Sequence, residues 1–454
     1  MAPPKRATTS AAGGPPAPPS GVLGALLPVQ LANTIPFEPI KIQTSVLEAQ
    51  TLEIMPVTGL SNPVSMIEFI ARPQDYYLDL TSIILKLKCV ITKSDGTGLA
   101  NDDTTSGVVN NLPGSMINRI ECFLNEKAVQ LCCDHYGLRS YLELIMFNNA
   151  ESAQTKLQTN IFALDTAGKT DKATAENLGW TARRLKVFKT GKGAQETTVL
   201  HRLHLDISSC SDYFINGLTL RIRIIMHDSP FYMFNTGTEK TKMKINEASL
   251  LLRTKVLTPE LILQNEARLA VMNARYAIKR VDLRTFVTPS SGRKISVPNV
   301  FLGPQPQFIA LCLLKSESYA GTHLTNPFEF FHQKISSVSV YLNNSCMTVG
   351  PCDADDYAAY VPYYQQFIDA LSLNGDCSTM ITYEQFIGGY FLICFDCSAD
   401  KQANVNTHLS LPMTGSLRIE VDLSSALTEN MVLACYGIFS GLLEITKDRV
   451  VNVE

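Results

Sequence analysis

Apolar and polar residues alternate with a period of two along much of this chain. Ile83, Leu85, Leu87, Cys89 and Ile91 share one face of a run, and Lys86, Lys88 and Thr92 share the other. Successive strand side chains point to opposite faces, so this pattern predicts a half-buried strand. Asp95-Gly96-Thr97-Gly98 ends it as a turn. Ile120, Cys122 and Leu124 form a second such face. Leu203, Leu205 and Ile207 alternate with His204 and Asp206. Leu218, Leu220, Ile222 and Ile224 alternate with Thr219, Arg221 and Arg223, and Ala248, Leu250, Leu252, Thr254 and Val256 follow. Leu138, Tyr141, Leu142 and Ile145 have helical spacing and predict one short helix.

The pattern then repeats. Ile117 to Glu126 is echoed by Ile335 to Asn344, at an offset of 335 − 117 = 218 that aligns Ile120 with Val338, Leu124 with Leu342 and Asn125 with Asn343. A tyrosine-rich helical pattern follows each copy, at Tyr136 to Phe147 and at Tyr360 to Leu371. Leu220-Arg221-Ile222-Arg223-Ile224 is echoed by Leu417-Arg418-Ile419-Glu420-Val421, now 417 − 220 = 197 apart. A changed offset fits two copies with different loops. Many short strands and few helices predict an all-β chain, two sandwiches or barrels in tandem.

Residues 1–40 read as a flexible arm rich in Pro, Ala and Gly, which cannot bury enough apolar surface to offset ordering. Residues 41–257 make the first β domain. Within it, 149–195 loses strand periodicity, is polar and holds the single tryptophan, Trp180, so a long surface loop is expected. Thr258-Pro259-Glu260 is a helix start, with threonine as the cap and proline at the first position. It opens a linker helix over 258–274. The second domain, 275–454, reuses the order of the first.

Composition narrows the function. Charged residues are 18% and hydrophobic residues 45% of 454, which favours surface hidden by assembly. A net charge of −3 argues against binding nucleic acid through overall charge. Twelve cysteines without regular spacing read as buried thiols in a reducing compartment. No run of eighteen apolar residues occurs, so no membrane span is expected.

Candidate chemistry is sparse. Cys394 and Cys397 form a lone CxxC inside a strand pattern, where residues three apart point to opposite faces. The same parity argument separates His201 from His204. Asp102 with Asp103, and Asp353 with Asp355 and Asp356, lack the glycine and terminal glutamate of a calcium loop. Arg183, Arg184, Lys186, Lys189 and Lys192 form a basic run, a candidate electrostatic contact with nucleic acid or an acidic partner. The chain has no phosphate-binding loop, no GxSxG and no paired-histidine metalloprotease motif. No catalytic, cofactor-binding or metal residues are assigned, and no enzyme is expected.

The chain resembles the double jelly-roll major capsid proteins of Polinton (Maverick) elements and adintovirus-like viruses over roughly residues 45–452. The resemblance rests on Tyr77-Leu78-Asp79-Leu80, Ile120 to Asn125, Asn216-Gly217-Leu218 and Leu220-Arg221-Ile222. In the second half it rests on Arg275 to Arg280, Asn299-Val300-Phe301-Leu302-Gly303, Asn326-Pro327-Phe328, Gly389-Tyr390, and Gly415-Ser416-Leu417-Arg418-Ile419. The family often has proline where this chain has Ala277. The resemblance implies two tandem eight-stranded antiparallel jelly rolls with short helices in the loops. It implies homotrimers with a six-fold-like outline that tile an icosahedral shell beside neighbouring capsomers, penton and minor capsid proteins. It places the protein in the virion, with the arm on the inner side in weak contact with the genome. Two alternatives stay open: a domesticated cellular trimeric scaffold, and a tandem cupin-like binding protein or enzyme.

Overall fold

The computed structural model describes residues 42–453 apart from 61–62, 73, 131–133, 190, 238, 344, 354–355, 372–378 and 404–409. The expected arm over 1–40 lies outside them. The chain divides into two units, Met1–Thr44 and Ser45–Glu454, and all the described strands and helices belong to the second.

The strands in chain order are β1 (Val46–Ile54), β2 (Met66–Ala71), β3 (Tyr77–Lys93), β4 (Ile117–Leu124), β5 (Lys127–Ala128), β6 (Phe188–Lys189), β7 (Gly193–Ala194), β8 (Thr197–Arg202), β9 (Leu220–Met226) and β10 (Thr241–Leu257). Then come β11 (Ala274–Thr288), β12 (Lys294–Val297), β13 (Phe308–Lys315), β14 (Ile335–Leu342), β15 (Ser345–Val349), β16 (Ile393–Asp396), β17 (Leu417–Leu423), β18 (Met431–Ile445) and β19 (Val451–Val453). The first half forms the sheets β1-β10-β3-β8 and β2-β9-β4-β5. The second forms β11-β18-β13-β16 and β12-β17-β14-β15, with β19 added to β18.

Leaving out the β6–β7 hairpin and β19, each half has eight strands in one order among the described residues. The first, eighth, third and sixth make one sheet, and the second, seventh, fourth and fifth make the other. All these ladders are antiparallel. Two such sheets closed over an apolar core are a jelly roll. The chain holds two.

The duplication extends to single atoms. Asn125 and Asn343 both follow the fourth strand with left-handed backbone, at φ 46° and 53°. Asparagine tolerates that conformation because its short side chain bonds locally. The Asn125 Oδ1 accepts from the Thr219 N–H at 2.7 Å, and the Asn343 Oδ1 accepts from the Ser416 N–H at 3.1 Å. Each bond ties the turn to the residue just before the seventh strand. The fourth strand is also bulged at the same point in both halves, between Ile117 and Arg119 and between Ile335 and Ser337.

The alternating faces lie as their sequences predict. Ile83, Leu85, Leu87, Cys89 and Ile91 are fully buried, as are Val338 and Val340, and Cys122 is 1% exposed. The run through Leu203, Leu205 and Ile207 differs. The strand β8 stops at Arg202, and Asp206–Ser209 is a single 3-10 turn. The linker helix runs Pro259–Leu269. The Thr258 carbonyl, not its hydroxyl, receives the first helical amides, from Leu261 and Ile262.

Candidate functional site

A network of buried polar groups lies where the two jelly rolls meet. Three elements of the first half build this junction, and the 149–195 segment is the first. It contains a helix at Leu178–Val187, started by Asn177, whose side chain accepts from the Trp180 N–H at 3.2 Å. Trp180, Arg183, Arg184 and Val187 recur at helical spacing and are all buried. Arg183 is completely buried and donates to the Asp165 Oδ1 at 2.7 Å, to the Ala163 carbonyl at 2.6 Å and to the Val108 carbonyl at 3.2 Å.

This network reaches the second jelly roll. The Asn326 amide donates to the Asp165 Oδ2 at 3.3 Å and to the Thr170 carbonyl at 2.9 Å. The Asn326 N–H donates to the Asp171 Oδ1 at 2.8 Å, and the Asp165 N–H donates to the Tyr390 hydroxyl at 2.9 Å. Phe328 stacks on Tyr141 with ring centres 4.2 Å apart. The Gly168 N–H donates to the Gly388 carbonyl at 2.7 Å, and a Cβ on Gly388 would fall 2.7 Å from the Gly168 nitrogen. Only glycine allows that backbone approach. The 149–195 segment is therefore a packed staple between the jelly rolls rather than a solvated loop. Asn326-Pro327-Phe328 and Gly389-Tyr390 are its receptor.

The second element is the Tyr136–Phe147 helix. Arg139 donates to Glu143 at 2.9 Å and to Asp206 at 2.8 Å. Glu143 also binds the His204 Nδ1 at 2.7 Å and accepts from the Tyr436 hydroxyl at 3.2 Å. Burial pushes the Glu143 carboxyl up, but Arg139 and His204 outweigh it and hold it at about 2. Phe147 packs on Phe308, with ring centres 6.2 Å apart. A cleft of about 660 Å³ lies beside this network, between Glu143, Leu157, His204, Lys279 and Tyr436.

The third element caps a sheet edge. β11 is the outer strand of its sheet, so every second amide on its open side needs a partner. The Lys279 N–H donates to the Ser209 Oγ at 2.7 Å, and the Val281 N–H to the Asp206 Oδ1 at 3.4 Å. Tyr276 stacks on Phe214 at 4.3 Å, and its hydroxyl accepts from the Ile215 N–H at 3.1 Å. The chain after β8 thus closes the open edge of the second jelly roll.

The basic run is split. Arg183 and Arg184 turn inward. Arg184 is 7% exposed, donates to the Ser106 carbonyl at 3.1 Å and to that of Asp103, and lies over the Phe188 ring. Lys186 is half-buried against Gln158. Only Lys189 and Lys192 face solvent. Burial depth does not show in charge, so the run reads as uniform along the chain. The face Trp180-Arg183-Arg184-Val187 after Asn177 is the signal that marks an inward helix.

The histidines correct the parity argument. Because β8 ends at Arg202, His204 leaves the strand and its ring lies 5.6 Å from that of His201. The Tyr136 hydroxyl joins them, 3.1 Å from the His201 Nε2 and accepting from the His204 N–H at 2.9 Å. Among the described residues no group of three or more His, Cys, Asp or Glu is arranged to hold a metal ion. Cys394 lies buried in β16 and Cys397 just beyond it, where burial pushes its thiol up to about 12. Asp103 caps its own turn through Thr105 and Ser106, and Asp356 caps Ala358. Asp355 is outside the described residues.

No protein-family model matches the chain. Uncharacterized protein F54H12.2 of Caenorhabditis elegans is 21% identical over 344 residues, covering 72% of this chain and 78% of that protein. Among solved structures, a chain of the Sputnik virophage matches with TM-score 0.62 and 11% identity over 94% of this chain and 93% of that one. The mavirus major capsid protein matches with TM-score 0.55 and 11% identity over 97% of each chain. The PBCV-1 virus capsid matches with TM-score 0.55 and 10% identity over 92% of this chain and 98% of that one. At such identities the likeness is one of fold, and it takes in both jelly rolls.

Proposed function

We propose that this chain is a structural major capsid protein whose trimers, with a six-fold-like outline, tile an icosahedral shell. One observation carries the reading. Two jelly rolls of one strand order are fused in a single chain, and this whole arrangement recurs in capsid proteins over nine-tenths or more of both chains. Three copies of a duplicated subunit present six similar corners, which suits a hexagonal lattice. The bonded junction fits a geometric role: its buried charges tie one jelly roll to the other. Such a function needs no active site.

Within this class the short motifs favour kinship with Polinton (Maverick) elements and adintovirus-like viruses. Neighbouring capsomers, penton and minor capsid proteins are the partners of this reading. The arm over 1–40 is assigned to the inner side, in weak contact with genome. Lys189 and Lys192 are the remaining candidates for an electrostatic contact. The nine cysteines among the described residues are all free thiols, in keeping with folding in a reducing compartment of the host and final residence in the virion. The nematode relative favours a second reading, a cellular copy that keeps the trimer and makes no particle.

Electron microscopy and light scattering of the expressed full chain test both. Hexagonal capsomers or shells are expected. Trimers without higher assembly would favour the cellular scaffold, and a stable monomer at micromolar concentration would overturn both readings.

A further inference from the structure

The cleft between the two jelly rolls, about 660 Å³ in volume, combines apolar walls with an unbalanced charge. Leu144 and Phe147 come from the Tyr136–Phe147 helix, Leu157 from the turn after it, Leu200 from β8, Val281 from β11 and Ile438 from β18. Phe147 is 42% exposed although it packs on Phe308. Apolar surface left in water on a concave wall is what a small ligand covers, and the volume lies within the roughly 300–1,000 Å³ of such sites.

Four cations, Arg139, Lys156, Arg202 and Lys279, line the cleft against one carboxylate, Glu143. Glu143 is already engaged by Arg139 and His204. Arg202 donates to the Thr81 carbonyl and Lys279 to the Ala403 carbonyl at 2.9 Å. Among the described residues no carboxylate pairs with Lys156, Arg202 or Lys279. Residues 404–409, next to Ala403 in the chain, contain no acid. Lys156 and Arg202 are exposed, whereas Lys279 is half-buried. Burial pushes its ammonium below the usual value, opposed by Asp396, whose oxygens accept from Ser398 and Ala403 instead. An ammonium has three donors, so Lys279 keeps capacity beyond its carbonyl. The Ser208 hydroxyl also lines the cleft, and it is buried with no hydrogen-bond partner among the described residues. The next residue, Ser209, accepts from the Lys279 N–H, which brings Ser208 and Lys279 to one end of the cleft.

We infer that this cleft binds a single-chain aliphatic carboxylate, a fatty-acid-like anion, with its head on the Lys279 ammonium and the Ser208 hydroxyl and its chain along Leu144, Phe147, Leu157 and Ile438. An anion beside Lys279 offsets the cost of holding that charge partly out of water. The chain removes the apolar walls from water. A neutral apolar ligand would leave the ammonium unpaired, and a bare inorganic anion would leave the walls wet. Ser208 belongs to the first jelly roll and Lys279 to the second, so the ligand ties one to the other. Every wall comes from one subunit, and the inference is independent of the assembly proposed above.

Calorimetric titration of the full chain with decanoate, below its micelle concentration, tests it. One decanoate per chain is expected, with affinity rising about fourfold for each methylene added from octanoate to laurate. Decanol, the same chain without the charge, should bind at least about tenfold more weakly, as should decanoate to Lys279→Gln. Lys156→Gln, at the exposed rim, should lose about twofold or less. Decanoate should raise the thermal midpoint of the wild type and leave that of Lys279→Gln nearly unchanged. Circular dichroism checks the fold of each variant. Where Lys279→Gln misfolds, the comparison of decanoate with decanol on the wild type decides. Equal affinity for the two, binding that does not saturate, or the same decanoate affinity with and without Lys279 overturns the site.

Discussion

β1 and β11 hold one position in two copies of one fold, yet they meet different surroundings. β11 buries Tyr276, Ile278, Val281 and Leu283, whereas β1 buries no residue along its length. The contrast extends to the eighth strands. β10 mixes buried and exposed positions, while Met431 to Phe439 of β18 is buried without interruption. A strand buried on both faces loses its polar alternation. The cover on the second jelly roll comes from the first, through the Tyr136–Phe147 helix and the 149–195 staple. The two halves therefore share strand order and differ in which surfaces are covered inside one subunit.

The strongest test asks whether the two cores are still equivalent. Cys122 and Val340 occupy matching inward positions on β4 and β14. Cys122→Asp or Val340→Asp buries a carboxylate with no partner and should each cost about 5 kcal/mol, enough to prevent folding. Glu121→Ala and Ser339→Ala touch the opposite face. Glu121 gives up ion pairs to Arg119 and Arg223, and Ser339 gives up a hydroxyl contact to Thr348. Each should cost about 1 kcal/mol or less. Urea denaturation of the four variants gives the contrast. Soluble trimers from both aspartate variants, beside misfolded alanine variants, would show the strand faces inverted and the two halves misaligned.

Next in size is the staple, which the first jelly roll contributes. Arg183→Ala leaves Asp165 buried without its guanidinium and should cost about 4 kcal/mol. Lys189→Ala and Lys192→Ala, from the same basic run, should each stay within about 0.5 kcal/mol. Equal effects at Arg183 and Lys189 would mean that the inward and outward ends of this run do not differ in solution.

The fold is more legible in the sequence than the junction is. Alternation exposes strands because half their side chains meet water, and the repeated Asn125 and Asn343 mark turns that any register must respect. The junction is built differently. Arg183 and Lys189 carry the same charge at opposite depths, and Arg183 is buried against Val108, Ala163 and Asp165, the last of which is held in turn by Asn326 and Tyr390 of the other jelly roll. Parity places His204 on a strand that ends two residues earlier. The staple reads as a loop because its polar residues are satisfied by distant segments, Arg183 and Arg184 by Val108, Ser106 and Asp103 of the first jelly roll and Asp165, Thr170 and Asp171 by Asn326 of the second, partners that local pattern does not reveal.

The junction also carries a pH dependence. Burial pushes the Glu329 carboxyl up to about 7, against a hydrogen bond from the Thr170 hydroxyl. Its folded value lies above the unfolded one near 4.5, so the folded state holds the proton more tightly through that interval. Stability from this group is present below about pH 4.5 and is lost as pH rises to about 7, on the order of 3 kcal/mol in all. Glu143 has the opposite sign: its folded value near 2 stabilises above about pH 4.5 and is lost as pH falls toward 2. Buried histidines such as His201 and His227, whose rings burial holds below their usual value, slope the other way between about pH 4 and 6.5, so the test is the difference: the stability of wild type relative to Glu329→Gln should decline as pH rises from about 5 to 7. A profile unchanged in that variant would remove Glu329 from the account.

The smallest expected effect returns to the two edge strands. Tyr276→Phe on β11 keeps the ring stacked on Phe214 but leaves the Ile215 N–H without its acceptor, and should cost about 1 kcal/mol in the dilute subunit. Leu47→Ser on β1 should change the stability of that same dilute subunit by less than about 0.5 kcal/mol, because its side chain already meets water. Urea denaturation of the two variants gives the ranking. If Leu47→Ser were the costlier, β1 would be covered within its own subunit, and the difference between the two first strands would be one of partner rather than of exposure.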